Sequence, residues 1–286
     1  MSKQGGFSPP ATCDRLRAML EQPATGQTIR VYGHRGAAGL APENTLPSFA
    51  LAVMLGADVL ELDVHASRDG IVVVVHDPDL ERTTNGRGPV RAHTLYELQQ
   101  LDAGHQFTRD GRDFPYRGQG VRIPTLEAVL KRFPLMACNI EIKQADPPIV
   151  TDVIGLIRRL DAQHRVLLAA EHDAIMHEIR QLAGGIATGF ATGEVADFIG
   201  RVHAGRLADY HPAGRALQIP PQFNDIELVT RETVAAAHQC GLQMHVWTVN
   251  QRDEMDRLLA LGVDGIMSDL PGLARVAVDA HLKRSA

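Results

Sequence analysis

Polar and ionisable residues stand at the ends of apolar, strand-like runs along much of this chain, and no other feature constrains the fold as strongly. Gly33-His34-Arg35-Gly36 follows the run at residues 29–32, and Glu61 and Asp63 interrupt residues 59–64. His76-Asp77 closes residues 71–75, and Glu141 and Lys143 lie in the apolar stretch that begins at Asn139. Such groups are costly to bury singly in an apolar interior. Gathered at one rim, they make a site suited to metal-assisted phosphoryl chemistry.

Short β-rich runs alternate with longer helix-like segments. Strands are predicted to end in or near Tyr32, Val64, Ile142, Leu168, Phe190, Ile219, Thr248 and Ser268. Helices are predicted over residues 44–56, 125–133, 147–160, 172–182, 230–240 and 251–261. Asn44 is placed to cap the first of these, and Gly56, Gly241 and Gly262 are placed as stops. About eight strands with intervening helices fit a (β/α)8 TIM barrel, with a doubly wound open sheet as the alternative. The barrel is preferred because the polar motifs recur at strand ends from the first to the last, whereas an open sheet concentrates its site at one switch point.

One segment departs from the alternation. Ser67-Arg68-Asp69-Gly70 joins two β-rich runs with too little chain for a crossover helix, so a hairpin is predicted. A register with Asp63 opposite Val74 sets Glu61 opposite His76 and gathers both carboxylates and the imidazole, because alternate strand residues share a face. A slip of one residue undoes that arrangement. Residues 80–122 follow the hairpin with little strand periodicity and carry Phe107, Phe114 and Tyr116. A long insert of this kind reads as a cap over the barrel mouth. Residues 206–225, rich in Pro and containing Tyr210 and His211, are a second candidate wall.

With 286 residues, 44% of them hydrophobic and 22% charged, the chain has material for a full core. Its formal net charge of −5 argues against a general nucleic-acid binder, which depends on Lys and Arg. No run approaches the roughly 20 apolar residues needed to span a bilayer. Residues 1–10 are polar and lack the apolar segment of a secretory signal, so a cytoplasmic location is expected. Cys13, Cys138 and Cys240 form no CxxC pair, which argues against a disulfide scaffold or a thiolate zinc site. Cys138 is expected to pack as a small apolar group.

Glu61, Asp63 and Glu141 form an oxygen-only set that suits Mg²⁺ or Ca²⁺ better than Zn²⁺. The alternative is that each carboxylate pairs with an Arg or Lys at a barrel end. His34 and His76 are candidates for general acid and general base. His65 shares the strand face of residues 61 and 63 but has no evident partner. Arg35 offers a bidentate fork and Lys143 a compact charge for a phosphate, or each closes a salt bridge. Gly33 and Gly36 let the backbone turn tightly around His34. Beyond capping, the Asn44 amide can orient a metal ligand. Trp247 ends a late strand and offers an apolar wall to a substrate's carbon skeleton, or else packs in the core. Asp269 either caps a helix or completes the rim.

Taken in order, these motifs resemble the glycerophosphodiester phosphodiesterases. The set runs from Gly-His-Arg-Gly at 33–36 and Glu43-Asn44-Thr45 through Glu61-x-Asp63-Val64, Asp69-Gly70 and His76-Asp77. Arg82-Thr83-Thr84-Asn85-Gly86, Ile123-Pro124-Thr125-Leu126-Glu127 and Glu141-Ile142-Lys143 follow, then Trp247-Thr248-Val249-Asn250 and Val263-Asp264-Gly265-Ile266. The resemblance implies a TIM barrel over residues 29–286 with an insertion at about 80–122, preceded by an N-terminal extension, residues 1–28. It implies hydrolysis of small-molecule glycerophosphodiesters to sn-glycerol 3-phosphate and an alcohol. It also implies a divalent metal on Glu61, Asp63 and Glu141, acid/base roles for His34 and His76, and phosphate contacts from Arg35 and Lys143. Ser67 stands where many members carry Thr.

Two other readings are compatible with parts of the pattern. A lysophospholipase D would keep one acyl chain on its substrate, and Ala216-Leu217-Gln218-Ile219-Pro220-Pro221 together with the aromatic insert could line an acyl groove. A non-catalytic binder of a phosphorylated ligand needs Arg35 and Lys143 but not two histidines and three carboxylates.

Overall fold

The computed structural model describes residues 28–285. The predicted extension, apart from Thr28, lies outside the described residues, as does Cys13. The strands are β1 (Arg30–Gly33), β2 (Val59–Ala66), β3 (Val72–Val74), β4 (Ala137–Ile142), β5 (Val166–Ala169), β6 (Ala187–Thr188), β7 (Ala216–Ile219), β8 (Gln222–Phe223), β9 (Ile226–Glu227), β10 (Gln243–Val246) and β11 (Gly265–Ser268). The helices are α1 (Leu46–Met54), α2 (Leu95–Leu98), α3 (Leu126–Arg132), α4 (Val150–Arg159), α5 (Asp173–Leu182), α6 (Thr192–His203), α7 (Arg231–Gln239), α8 (Arg252–Leu261) and α9 (Pro271–Ser285).

Parallel strands pair in the order β6-β5-β4-β2-β1-β11-β10-β7. The Arg215 N–H donates to Thr188 O at 2.8 Å, so the two edges of the sheet meet in a nearly closed barrel. No helix among the described residues is long and apolar enough to cross a membrane.

Side-chain alternation along the strands builds both the core and the site. Leu60, Leu62 and Val64 of β2 and Cys138, Ile140 and Ile142 of β4 point outward and pack with Phe49, Leu130 and Ile154 of the surrounding helices. The intervening positions face the barrel interior, where Tyr32, Val59, Ala137 and Met267 form one small layer. Two residues further along each strand, the same inward face carries His34, Glu61, Asn139 and Asp269, and Asp63 and Glu141 come next. Glu61 is level with Asn139, and Asp63 with Glu141. Polar residues thus begin where the apolar filling stops, at the C-terminal rim.

The first helix begins one residue later than the sequence implies. Thr45, not Asn44, is its N-cap and accepts from the Ser48 N–H at 3.4 Å. Asn44 sits at φ +57° and turns its amide elsewhere. Three helices, α2, α6 and α9, lie outside the predicted ranges. α6 follows Ala191, which has no capping side chain; the Glu194 carboxylate accepts the Ala191 N–H instead, at 2.9 Å.

The predicted hairpin joins β2 and β3, but Val64 pairs with Val74. Asp63 therefore stands level with Val75, whose N–H donates to Asp63 O at 3.0 Å. The expected pairing of Asp63 with Val74, and so of Glu61 with His76, is off by one residue. Val72, Val73, Val74 and Val75 form an unbroken apolar run, and a run without alternation does not pin a register.

Leu80, Val90, Leu98 and Val121 of residues 80–122, joined by Ile123, form a small core against Val73 and Val75. In the second candidate wall, Tyr210 packs against Phe198 with ring centroids 5.5 Å apart. At its C-terminal end the β8–β9 hairpin pairs Phe223 with Ile226 and leaves both exposed. Cys138 is buried as expected, and burial pushes its thiol up to about 11.

Candidate active site

The turn after β1 is built from close backbone contacts. A Cβ on Gly33 would lie 2.5 Å from Gly36 O and 2.8 Å from Ala52 Cβ. Gly36 has φ +89°, and a side chain there would collide with Ser48. The turn holds Arg35 at φ +49° and directs its N–H to Glu61 Oε2 at 2.7 Å. His34 is anchored through its own N–H to Ser268 O at 3.0 Å.

Glu61, Asp63 and Glu141 each offer one oxygen, and these oxygens lie within 4.8 Å of one another. Glu61 is 2% and Asp63 1% exposed. Burial, and next the charge of Asp63, push the Glu61 carboxyl up to about 8. Burial also raises Glu141, although Lys143 opposes the shift. Lys143 Nζ lies 2.6 Å from Glu141 Oε1 and 3.6 Å from Asp63 Oδ1. Arg35 Nε stands 3.4 Å from Asp63 Oδ2. Cations therefore reach Asp63 and Glu141, while Glu61 remains under-compensated. A hard, oxygen-liganded divalent cation fits that donor set. Asn44 orients Asp63 from the other side: its Nδ2 donates to Asp63 Oδ2 at 2.9 Å, and its Oδ1 accepts the Asp63 N–H at 3.3 Å.

Each histidine is tied by Nδ1 to a carboxylate. His34 Nδ1 lies 2.7 Å from Asp269 Oδ1, and Asp269 Oδ2 accepts from Asn250 Nδ2 at 2.6 Å. The Asn250 Oδ1 in turn accepts the Asp269 N–H at 2.9 Å. His76 Nδ1 lies 2.6 Å from Asp77 Oδ1. A carboxylate on Nδ1 fixes the tautomer and leaves Nε2 free for chemistry. Burial pulls the His34 pKa down, but the Asp269 bond and the Glu61 charge outweigh it and hold it above the usual imidazole value. His34 acts electrostatically on Glu61 and His76 on Glu141, so the rings flank the acidic cluster. His76 arrives by the irregular chain after β3 and not by the predicted cross-strand pairing.

Trp247 follows β10 at the same rim, 40% exposed, with its N–H on Ile219 O at 3.2 Å. His65 braces the His76 segment, its Nε2 lying 3.0 Å from His76 O. Sequence reasoning left Asp77, Asn250, Glu43 and Arg82 without roles. The adjacency of Asp77 to His76 was a usable signal. The Glu43–Arg82 pairing, 39 residues apart, had none.

Fold and site together define a TIM-barrel enzyme working at its carboxyl rim. The model of the Glycerophosphoryl diester phosphodiesterase family matches residues 34–273, and the chain belongs to that family of phosphoric diester hydrolases. It is 34% identical over 251 residues to the glycerophosphodiester phosphodiesterase of Caldanaerobacter subterraneus subsp. tengcongensis, covering 84% of this chain and 94% of that one. It is 28% identical over 267 residues to the lysophospholipase D GDPD1 of Mus musculus, covering 85% and 83%. An Oleispira antarctica phosphodiesterase, solved in complex with the product sn-glycerol-3-phosphate, superposes with a TM-score of 0.70 at 28% identity, covering 90% of this chain and all (100%) of the other.

Proposed function

We propose that this protein hydrolyses glycerophosphodiesters to sn-glycerol 3-phosphate and an alcohol, with Mg²⁺ or Ca²⁺ on Glu61, Asp63 and Glu141. The observation that carries the reading is the convergence of those oxygens within 4.8 Å of one another, flanked by two histidines held at Nδ1. The bound cation supplies charge stabilisation for the phosphoryl oxygens, commonly worth several kcal/mol. Arg35 and Lys143 add fixed positive charge for the phosphate. Trp247 presents an apolar face to the substrate's carbon skeleton.

His34 and His76 move the protons. One accepts the proton of the attacking hydroxyl, from water or from the glycerol 2-hydroxyl, as the new P–O bond forms. The other donates a proton to the departing alkoxide as the old P–O bond breaks. Attack by the 2-hydroxyl gives a cyclic phosphate that water then opens with the roles reversed. A typical general acid or base contributes about 10²- to 10⁴-fold. The test is His34→Ala and His76→Ala on folded protein with glycerophosphocholine and each cation in turn. Near-wild-type turnover in either variant removes that histidine from the mechanism, and turnover that survives chelation removes the metal.

A second reading is supported by the exposed Phe223–Ile226 pair, which lies just beyond β7 at the rim that carries Trp247. An apolar hairpin at this rim suits a substrate that retains an acyl chain, and the mouse relative is named a lysophospholipase D. Turnover of lysophosphatidylcholine compared with glycerophosphocholine separates the two readings.

A further inference from the structure

The Arg82-Thr83-Thr84-Asn85-Gly86 motif contributes no metal ligand, acid/base group or phosphate cation. It is nevertheless constructed in detail. The Leu80 N–H bonds Gly88 O at 3.1 Å, and Thr84 Oγ1 donates to Leu80 O at 2.8 Å while accepting the Gly86 N–H at 2.8 Å. Asn85 Oδ1 accepts the Asp102 N–H at 2.8 Å. A Cβ on Gly86 would lie 2.5 Å from Leu101 Cδ1. Leu80 and Thr84 are buried, which fixes this turn to the small core of the insert.

From this turn, Arg82 bonds carboxylates that border the site. Arg82 Nη1 donates to Glu43 Oε2 and Arg82 Nη2 to Glu43 Oε1, both at 2.7 Å. Its Nε donates to Asp77 Oδ2 at 2.5 Å, and Nη2 also reaches Asp77 Oδ1 at 3.2 Å. One guanidinium thus grips two carboxylates, each by both oxygens. Glu43 Oε1 also accepts from Arg35 Nη1 at 2.9 Å, and Asp77 Oδ1 holds His76 Nδ1 at 2.6 Å. The chain His76–Asp77–Arg82–Glu43–Arg35 therefore links the candidate acid/base group to the candidate phosphate cation. Arg82 is 47% exposed, and an ordinary ion pair so exposed adds little stability. A two-carboxylate fork, which lysine cannot reproduce, specifies geometry instead.

Building on the phosphodiesterase reading, we propose that Arg82 is a positioning residue, by which the insert sets the orientation of His76 and Arg35 together. It touches neither substrate nor metal and acts through Asp77 and Glu43. The insert at about residues 80–122 then belongs to the catalytic frame.

The test uses the whole protein, loaded with Mg²⁺ or Ca²⁺, against a panel of glycerophosphodiesters. Arg82→Ala and Arg82→Lys are both expected to lower kcat by about 10- to 100-fold, as loss of partners that orient functional side chains does elsewhere. Melting temperatures are expected to stay near wild type. Guanidinium ion at sub-denaturing concentration is expected to restore kcat severalfold in Arg82→Ala, whose site is open to solvent, and not in Arg82→Lys. A merely structural arginine gives no such rescue of kcat. With an active wild type, Arg82→Ala or Arg82→Lys within twofold of it, or a loss that guanidinium does not restore, overturns the proposal alone. A wild type inert towards every diester overturns the functional reading, and this proposal with it.

Discussion

Asp269 Oδ1 lies 2.7 Å from His34 Nδ1, although the two residues are 235 positions apart in the chain. Closure of the barrel makes them neighbours, because β1 pairs with β11 and brings Gly33 level with Ser268. The last barrel strand thereby supplies the carboxylate that orients a side chain of the first.

Replacing that carboxylate by an amide is predicted to cost turnover more than binding. In Asp269→Asn the amide can offer N–H to Nδ1 and favour the wrong tautomer, a change that lowers kcat by up to about 10⁴-fold in a Ser-His-Asp triad. A loss on the order of 10²- to 10⁴-fold in kcat, with a small change in KM, is expected. Asp269 is one of the groups that hold His34 above the usual imidazole pKa. The kcat–pH limb governed by His34 should therefore move to lower pH. Steady-state kinetics across pH check both points, and an unchanged limb means that Asp269 does not orient a titrating His34.

Much of this architecture is readable from residue order because strand alternation links the core to the rim. Val59, Glu61 and Asp63 share one face of β2, and Leu60, Leu62 and Val64 share the other, so a polar residue at an inward position marks the end of the filling. The same logic gives Glu141 beyond Ala137 and Asn139. It fails where alternation is absent, as in the valine run of β3, whose Val73 and Val75 pack with Leu80, Val90 and Leu98. It is silent on side chains that meet only after the chain closes, as His34 meets Asp269 and Arg82 meets Glu43. Asn44 illustrates a different gap. Its side chain could serve either a helix end or a ligand, and only the positive φ, which hands the cap to Thr45, decides between them.

The acidic cluster predicts an unusual pH dependence for metal-free protein. Burial and Asp63 raise Glu61 to about 8, and burial also raises Glu141. A carboxyl whose folded pKa exceeds its unfolded value binds more protons when folded, so its stabilising contribution is lost as pH rises through the folded pKa. Below about 6.5 the effect is opposed by His245, which burial lowers to about 3, and by His65, also lowered by burial. Above the ordinary histidine pKa that opposition ends. The melting temperature of chelated protein is therefore expected to fall between pH 6.5 and 8. Mg²⁺ or Ca²⁺ should flatten the slope by stabilising the ionised cluster, and Glu61→Gln should reduce it without metal. Thermal melts at fixed ionic strength read the outcome, and a metal-free curve that rises through this window contradicts the assignment.

Asn44 combines a left-handed backbone with an amide that bonds Asp63, and the two contributions can be separated. Glycine accepts φ +57° freely, so Asn44→Gly removes the bonds to Asp63 without adding left-handed strain. Loss of such a supporting bond usually lowers metal affinity by about 10- to 100-fold. Calorimetric titration of the apoprotein is expected to show that weakening for Asn44→Gly, with little change in folding. Asn44→Ala should show the same weakening plus destabilisation of about 1–2 kcal/mol from the left-handed backbone. Equal metal affinity in Asn44→Gly and wild type would assign Asn44 to the turn alone.

The hairpin beyond β7 offers a test between diester substrates with and without an acyl chain. Phe223 is 61% and Ile226 55% exposed, and the two face each other across β8 and β9. Side chains this exposed contribute little to the core, so Phe223→Ser with Ile226→Ser should leave the melting temperature nearly unchanged. If an acyl chain rests on them, the double variant loses apolar contact only with a substrate that carries one. Loss of about 1.4 kcal/mol of such contact corresponds to roughly tenfold in kcat/KM. Lysophosphatidylcholine turnover is therefore expected to fall about that much, while glycerophosphocholine turnover stays within twofold. Parallel falls on both substrates would place the hairpin in general site architecture. No fall on either would leave the glycerophosphodiester reading without an acyl subsite at this edge of the barrel.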